Sequence, residues 1–143
     1  PNVVGVKYSF CDMHRTLDYL QVRGGDFSVL VGFDRLLLPA LEMGCGGVVS
    51  GVSSVFPEPL VEIYRAWQAG DKEAAKKAMW ICNDIVVKLK SGARMSIFKD
   101  VQTQRGLPGG EMKAPLLGVT EEEHAQLAEL FAPYIKQYPL PKL

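Results

Sequence analysis

Three short apolar runs in the first 51 residues constrain the fold of this chain more than any other feature. They cover residues 3–7 (VVGVK), 27–32 (FSVLVG) and 46–51 (GGVVSG), and each contains glycine. Runs that are apolar at nearly every position are typical of strands buried on both faces of a parallel sheet. The first part of the chain therefore reads as three consecutive strands of such a sheet.

Helical patterns fill the two intervals between these runs. The segment 12–23 places its apolar residues on one side, and the segment 34–44 can begin with Asp34 as its N-cap and end at Gly44. Pro39 is unfavourable inside a helix, so it is expected to kink that helix or to delay its start. Both intervals are long enough for a right-handed crossover that brings the next strand parallel to the preceding one. This predicts a βαβαβ order.

From Pro57 onward only helical periodicity is present. It predicts a helix over 60–67 and a second helix whose apolar positions run from 75 to 89 and which is expected to end at Gly92. A further helix is predicted over 93–104. After a loop, the sequence TEEE at 120–123 has the form of a capping box that opens a last helix. We therefore divide one structural domain into a strand-and-helix part, 1–56, and a helical part, 57–143.

Composition excludes several classes of partner. The 16 basic and 16 acidic residues cancel and are mixed along the chain, which argues against a nucleic-acid or membrane surface. No apolar run approaches the roughly 20 residues that span a membrane, so a cytoplasmic location is expected. The sequence shows no residue spacing typical of a metal site. His14 and His124 are expected on the surface. Cys11, Cys45 and Cys82 are expected to be reduced packing residues.

A sheet of only three parallel strands would leave two long apolar edges open to pairing with other chains. The sequence therefore predicts that further strands complete the sheet, supplied either by the rest of a larger barrel or by another polypeptide.

Lys7 ends the first predicted strand and is the main candidate for chemistry. Alternation places Lys7 on the face of Val3 and Gly5, and Tyr8 on the opposite face. The carboxyl ends of strands carry the sites of parallel α/β folds. A lysine amine is a nucleophile only when deprotonated, and apolar surroundings disfavour the charged form, which permits imine formation with a carbonyl substrate. The alternative is a lysine that only extends its charge into solvent.

Four segments of the chain resemble a known family. The segments PNVVGVKYS, FSVLVGFD, LEMGCGGVVSGVSSVFPE and YRAWQAGDKEAAKK are similar to the C-terminal half of the dihydrodipicolinate synthase and N-acetylneuraminate lyase family, over residues 1 to about 135. The resemblance implies an α/β fold, the C-terminal part of a (β/α)8 TIM barrel followed by a helical extension. The three strands would be barrel strands six, seven and eight.

The resemblance also implies a function. Lys7 would form a Schiff base with pyruvate or another 2-oxo acid, and the enzyme would carry out reversible aldol addition to an aldehyde or aldol cleavage, without metal or dissociable cofactor. By resemblance, the residues that line the site beside the imine are Val49, Ser50 and Gly51, and those that select the distal part of the substrate are Gly32, Phe33 and Asp34. A homo-oligomer is implied as well.

Two departures from the family pattern limit this reading. The first is Ser54, which stands where many members have asparagine. The second is that the tyrosine acid/base and the carboxylate-binding loop of the family belong to the N-terminal half, and Tyr8 cannot take the role of that tyrosine. We therefore expect activity to require that half of the barrel.

Three functions remain open. Phe33 after the glycine of the second strand, and KYS at 7–9 in place of the K-[DE]-[AS]-[ST] common in the synthase, favour an aldolase for sugar-acid-like substrates. The alternatives are a synthase that condenses pyruvate with aspartate semialdehyde and a non-catalytic barrel module. A nucleotide-binding domain is disfavoured because no strand is followed by a glycine-rich phosphate loop.

Overall fold

The first part of the chain forms a parallel sheet, as predicted. The computed structural model describes residues 2–90 and 94–140. In these ranges the sheet has three strands in the order β1 (Gly5–Tyr8), β2 (Ser28–Val31) and β3 (Gly47–Val48), and both pairings are parallel. The strands are shorter than the predicted apolar runs, and β3 has only two residues. The position of the chain beyond β3 must therefore be held by contacts outside the sheet.

The two crossover helices cover one face of the sheet. Helix α1 (Met13–Leu20) begins after Asp12, whose carboxylate accepts from the backbone N–H groups of His14 and Arg15. It ends three residues before the predicted boundary, because Arg23 adopts a φ of 56° and turns the chain toward β2.

Helix α2 (Leu37–Glu42) corrects one expectation. Asp34 does not cap it; Asp34 opens a separate 3₁₀ turn, and α2 begins after Leu36. The late start places Pro39 in the first turn, where its missing N–H has no intrahelical partner to lose. The predicted delay of this helix by Pro39 is confirmed.

Four helices follow: α3 (Glu58–Gln68), α4 (Lys72–Lys88), α5 (Met95–Gln104) and α6 (Glu121–Gln137). The predicted capping box is present, since the Thr120 hydroxyl accepts from the Glu123 N–H and the Glu123 carboxylate accepts from the Thr120 N–H. Helix α4 ends at Lys88, and the predicted end at Gly92 lies outside the described residues.

The core has two parts that meet at Val48. A small cluster lies between the sheet and its helices and contains Val29, Val31, Ala40 and Cys45. A larger cluster lies among α2 to α6, and its largest members include Phe56, Ile63, Ile85 and Phe131. Cys45 and Cys82 are buried packing residues as predicted, but Cys11 is exposed, because it lies in the loop before α1.

A buried arginine joins the helical part to the segment after β3. Arg105 follows α5, and its guanidinium donates to the carbonyl oxygens of Val55 and Tyr138 and to the carboxylate of Glu58, 2.5 Å away. Glu58, in the first turn of α3, neutralises this buried cation. Burial of a charge is tolerated when it is paired and hydrogen-bonded in this way.

Candidate active site

Lys7, Gly32 and Val49 lie near one another at the carboxyl edge of the sheet. Lys7 pairs with Leu30, which pairs with Gly47, and the next row is Tyr8, Val31 and Val48. Gly32 and Val49 lie one row further, where the Gly32 N–H donates to the Tyr8 carbonyl at 2.8 Å and the Val49 N–H donates to the Val31 carbonyl at 2.9 Å. The sheet thus brings the ends of all three strands together, as the sequence predicted.

Lys7 and Tyr8 lie on opposite faces of the sheet. The Tyr8 ring packs edge-on against Tyr19 of α1, with ring centroids 5.1 Å apart, so Tyr8 belongs to the helix-covered face. Lys7 is exposed on the other face, which it shares with the partly buried Leu30. The expected alternation is confirmed, and Lys7 lies on the face that the helices leave open.

Ser9 is a polar residue of this edge that the sequence analysis did not single out. A Cβ atom built on Gly32 would overlap the side chain and the Cα atom of Ser9, so only glycine allows the two strand ends to approach this closely. The spacing from Lys7 to Ser9 is two residues, which in an extended chain returns to the same face. That spacing was the signal available in the sequence.

Asp34, in the loop after β2, has a carboxyl whose pKa responds both to Lys7 and to Ser50 of the segment after β3. Burial raises the pKa of the Asp34 carboxyl, and this effect exceeds the opposing influence of the Ser50 hydroxyl and the positive charge of Lys7. Its Oδ1 atom is buried and has no hydrogen-bond partner within residues 2–90 and 94–140. Asp34 therefore keeps one buried oxygen that remains able to accept a hydrogen bond.

The β3 loop, residues 49–56, contains the other predicted residues near the imine. Its turn is held by its own serines: the Ser50 hydroxyl accepts from the Ser53 N–H at 2.9 Å, and the Ser53 hydroxyl donates to the Ser50 carbonyl at 2.8 Å. Val49 is 41% exposed, so its side chain is accessible at the sheet edge. Phe33, in the neighbouring loop after β2, is also on the surface, with 39% exposure.

The cavity nearest to this loop does not include Lys7. It has a volume of about 420 Å³ and is lined by Ser50 and Ser53 of the loop and by residues of α3, including Leu60 and Tyr64. Lys7 lies instead on an open sheet face. An enclosed pocket around Lys7 would need further chain over that face.

The described residues include neither a metal-binding cluster nor a helix suited to crossing a membrane. Residues 2–90 and 94–140 contain no group of three or more His, Cys, Asp or Glu side chains arranged to hold a metal ion. Within the same ranges, no helix has both the length and the apolar character needed to cross a membrane.

Known proteins with the same fold and motifs identify the family. The family model described as the dihydrodipicolinate synthetase family matches residues 1–133. A 4-hydroxy-tetrahydrodipicolinate synthase from Methanospirillum hungatei is 30% identical over 135 residues, which are 94% of this chain and 46% of that protein.

Solved structures give the same result. The crystal structure of dihydrodipicolinate synthase from Aquifex aeolicus superposes with a TM-score of 0.81 at 29% identity, over 99% of this chain and 47% of that chain. N-acetylneuraminate lyase from Mycoplasma synoviae gives 0.81 at 28% identity, over 92% and 46%. These neighbours are (β/α)8 barrels, and the sheet and helices described above agree with a part of such a barrel.

The chain thus spans about half the length of the relatives that it matches. The motifs around Lys7 and the β3 loop lie inside the matched range, and so do helices α1 to α5 and all of α6 except its last turn. This chain belongs to the dihydrodipicolinate synthetase family.

Proposed function

We propose that this chain carries the imine-forming half of a Schiff-base aldolase or lyase, with Lys7 as the residue that bonds to pyruvate or a related 2-oxo acid. The observation that supports this most directly is the place of Lys7. It is an exposed lysine at the carboxyl edge of a parallel sheet in a member of this family. Such edges carry the sites of parallel α/β enzymes. The pKa of Asp34, in the loop after β2, responds to the positive charge of Lys7 as well as to the Ser50 hydroxyl of the β3 loop.

The proposed chemistry begins with attack of the neutral Lys7 amine on the ketone carbon. Loss of water gives an imine, whose protonated form withdraws electrons from the adjacent carbon. Removal of a proton from that carbon yields an enamine, which forms a carbon–carbon bond with an aldehyde; hydrolysis of the imine then releases the product and restores Lys7. The reverse sequence cleaves an aldol. This route uses no metal and no dissociable cofactor.

The β3 loop is proposed to line the imine side of the site through Val49, Ser50 and Gly51. The loop after β2 is proposed to face the distal part of the substrate through Gly32, Phe33 and Asp34. The unpartnered Oδ1 of Asp34 supports a distal part with hydroxyl groups, because a buried carboxylate oxygen is stabilised by accepting a hydrogen bond. We therefore favour a 2-keto-3-deoxy sugar acid or a similar substrate.

The main alternative is condensation of pyruvate with aspartate semialdehyde. It is supported by the 30% identity to a protein named 4-hydroxy-tetrahydrodipicolinate synthase. Both reactions use the same Lys7 imine, so they differ only in the second substrate. Comparing a hydroxylated aldehyde with aspartate semialdehyde in the assembled enzyme distinguishes them.

We further propose that residues 1–56 supply barrel strands six to eight and that residues 57–143 supply the last barrel helix and the extension. In this arrangement additional strands pair at the sheet edges and cover the open face that carries Lys7. The tyrosine acid/base and the carboxylate-binding groups of the family would come from those strands, in a homo-oligomeric enzyme.

Reduction by borohydride in the presence of pyruvate tests the proposal. The assembled protein, with the remaining barrel strands present, is treated with pyruvate and borohydride, and the adduct is located by peptide mass spectrometry. Hydride addition to the imine carbon leaves a stable secondary amine, which we expect on Lys7. Lys7→Arg should abolish the adduct, whereas the matched change Lys77→Arg on α4 should not. No adduct would support the non-catalytic module instead, and an adduct that survives Lys7→Arg would show that a different amine forms the imine.

A further inference from the structure

The β3 loop has internal hydrogen bonds that fix its shape, and buried side chains anchor it in the core. Its turn is closed by bonds within residues 50–56, including those from the Ser54 hydroxyl to the Gly51 carbonyl at 2.7 Å and from the Val55 N–H to the Val52 carbonyl at 2.9 Å. Val52, Val55 and Phe56 are buried in the larger core, whereas the strand before the loop pairs over only two residues. The orientation of the exposed part of the turn therefore depends on the elements that hold its backbone.

Helix α5 supplies that hold along one of its faces. Phe98 packs with its Cε1 atom 4.0 Å from the position of a Cβ on Gly51. The Gln102 side-chain amide donates to the Ser54 carbonyl at 2.8 Å, and Arg105 donates to the next carbonyl, that of Val55. Positions 98, 102 and 105 follow the i, i+4, i+7 spacing of a single helix face.

Removal of the Gln102 contact should disturb the fold less than removal of the Phe98 or Arg105 contact. Phe98 and Arg105 are buried, so their truncation would damage the core or leave the partly exposed Glu58 carboxylate and the buried Val55 carbonyl without their donor. Gln102 is only partly buried, and its side chain makes a single described bond, across 48 residues of sequence. Its removal should change where the loop lies while the rest of the molecule stays folded.

We propose that Gln102 is a positioning residue for the candidate site: from the helical extension, it holds the Ser54 carbonyl and so orients the β3 loop toward Lys7. The inference rests on the proposed function for the role of that loop in binding the substrate. Through this bond the extension would contribute to substrate binding without touching the substrate. Gln102 acts on the 2-oxo acid only through the position of residues 49–51.

The test uses Gln102→Met, which keeps the side-chain size and removes the donor, in the assembled protein. Gln104→Met is the matched control, because Gln104 is the same residue type on the same helix and donates to Asp100 and to the His124 carbonyl instead of to the loop. The first readout is amide hydrogen exchange at Ser53 to Phe56. Loss of one such bond should speed exchange there about five-fold in Gln102→Met, with little change in the control.

The second readout is the pyruvate concentration that half-saturates adduct formation at Lys7. We expect it to rise about five-fold in Gln102→Met and more in Gln102→Glu, whose carboxylate would face the Ser54 carbonyl, while the adduct yield at saturating pyruvate stays near wild type. A residue that only stabilises the fold would not separate these two quantities.

Equal loop exchange in Gln102→Met and Gln104→Met would overturn the proposal, and so would faster exchange with an unchanged half-saturating concentration. Absence of any adduct in the wild type would instead reject the proposed function. In that case the exchange comparison alone decides whether Gln102 holds the loop.

Discussion

The guanidinium carbon of Arg105 lies 4.3 Å from the centre of the Phe56 ring, and the Arg105 side chain is 1% exposed. Phe56 ends the β3 loop, and Arg105 follows the helix that contacts this loop. One cation therefore joins α5 to the start of α3, through Glu58, and to the end of α6, through the Tyr138 carbonyl. The fold of the helical part and the position of the candidate site depend on the same residue.

Replacement of Arg105 by methionine should strongly destabilise the protein. The change leaves the buried Val55 carbonyl and the partly exposed Glu58 carboxylate without their donor, and a buried group left unsatisfied in this way costs about 1–3 kcal/mol. Urea denaturation measures the loss in the free energy of unfolding. The exposed Arg65→Met on α3 is the control and should change it by less than about 0.5 kcal/mol. A loss below about 1 kcal/mol for Arg105→Met would contradict the structural role given to the pair.

The ion pair between Arg94 and Glu123 should make stability depend on pH in the acid range. Hydrogen bonds from Arg94, and then from the Thr120 N–H, lower the pKa of Glu123 from 4.5 to about 2. A carboxyl with a depressed folded-state pKa stabilises the protein above its unfolded pKa, and this stabilisation disappears as the pH falls from about 4.5 to about 2.

Denaturation midpoints of wild type and Glu123→Gln between pH 6 and pH 2 measure this effect. The wild type should be more stable at pH 6, and the difference should shrink steadily below pH 4.5. Glu122→Gln, at the neighbouring exposed position, is the control. A difference that stays constant with pH would show that Glu123 acts only through packing.

Asp34→Asn should stabilise the protein at neutral pH. Burial raises the pKa of Asp34 above 3.8, so the folded state holds its proton more tightly than the unfolded state does. The stability contribution of such a group is largest below pH 3.8 and falls as the pH rises through the raised pKa. An amide avoids this loss. Denaturation at pH 3 and pH 7 should show a gain for Asp34→Asn only at pH 7, and the exposed Asp26→Asn should show none. A variant less stable than wild type at pH 7 would indicate that the ionised carboxylate is held by favourable contacts.

The three cysteines should differ sharply in reactivity. Cys11 is exposed, whereas Cys82 is buried, and burial together with the charge of Asp34 raises the pKa of the Cys82 thiol to about 12. Because the thiolate is the reactive form, iodoacetamide at pH 8 should modify the folded protein once, at Cys11. Intact mass spectrometry checks this count, and urea should expose the other two thiols. In Cys11→Ser the folded protein should take up no label; rapid labelling there would show that the core opens.

Local patterns in the sequence were sufficient for the strand order, for the helix that begins at the capping box and for the opposite faces of Lys7 and Tyr8. Each of these depends on residues within a few positions of one another, where backbone geometry alone dictates which side chains share a face. The delayed start of α2 at Pro39 is of the same kind. The N-cap expected at Asp34 failed because α2 starts only after Leu36, so Asp34 opens a separate 3₁₀ turn instead.

The contacts that shape the candidate site could not be predicted from those local patterns. Gln102 meets Ser54 across 48 residues and Arg105 meets Val55 across 50, and neither residue carries a local signal of its partner. The close approach of Ser9 to Gly32 and the burial of Asp34 likewise arise only when separate strands and loops are brought to one edge. The sequence by itself thus determined which elements form and that Lys7 stands at a strand end. The tertiary structure decided which side chains hold the loop beside it, because such contacts follow from the packing of distant segments and not from the periodicity of any one of them.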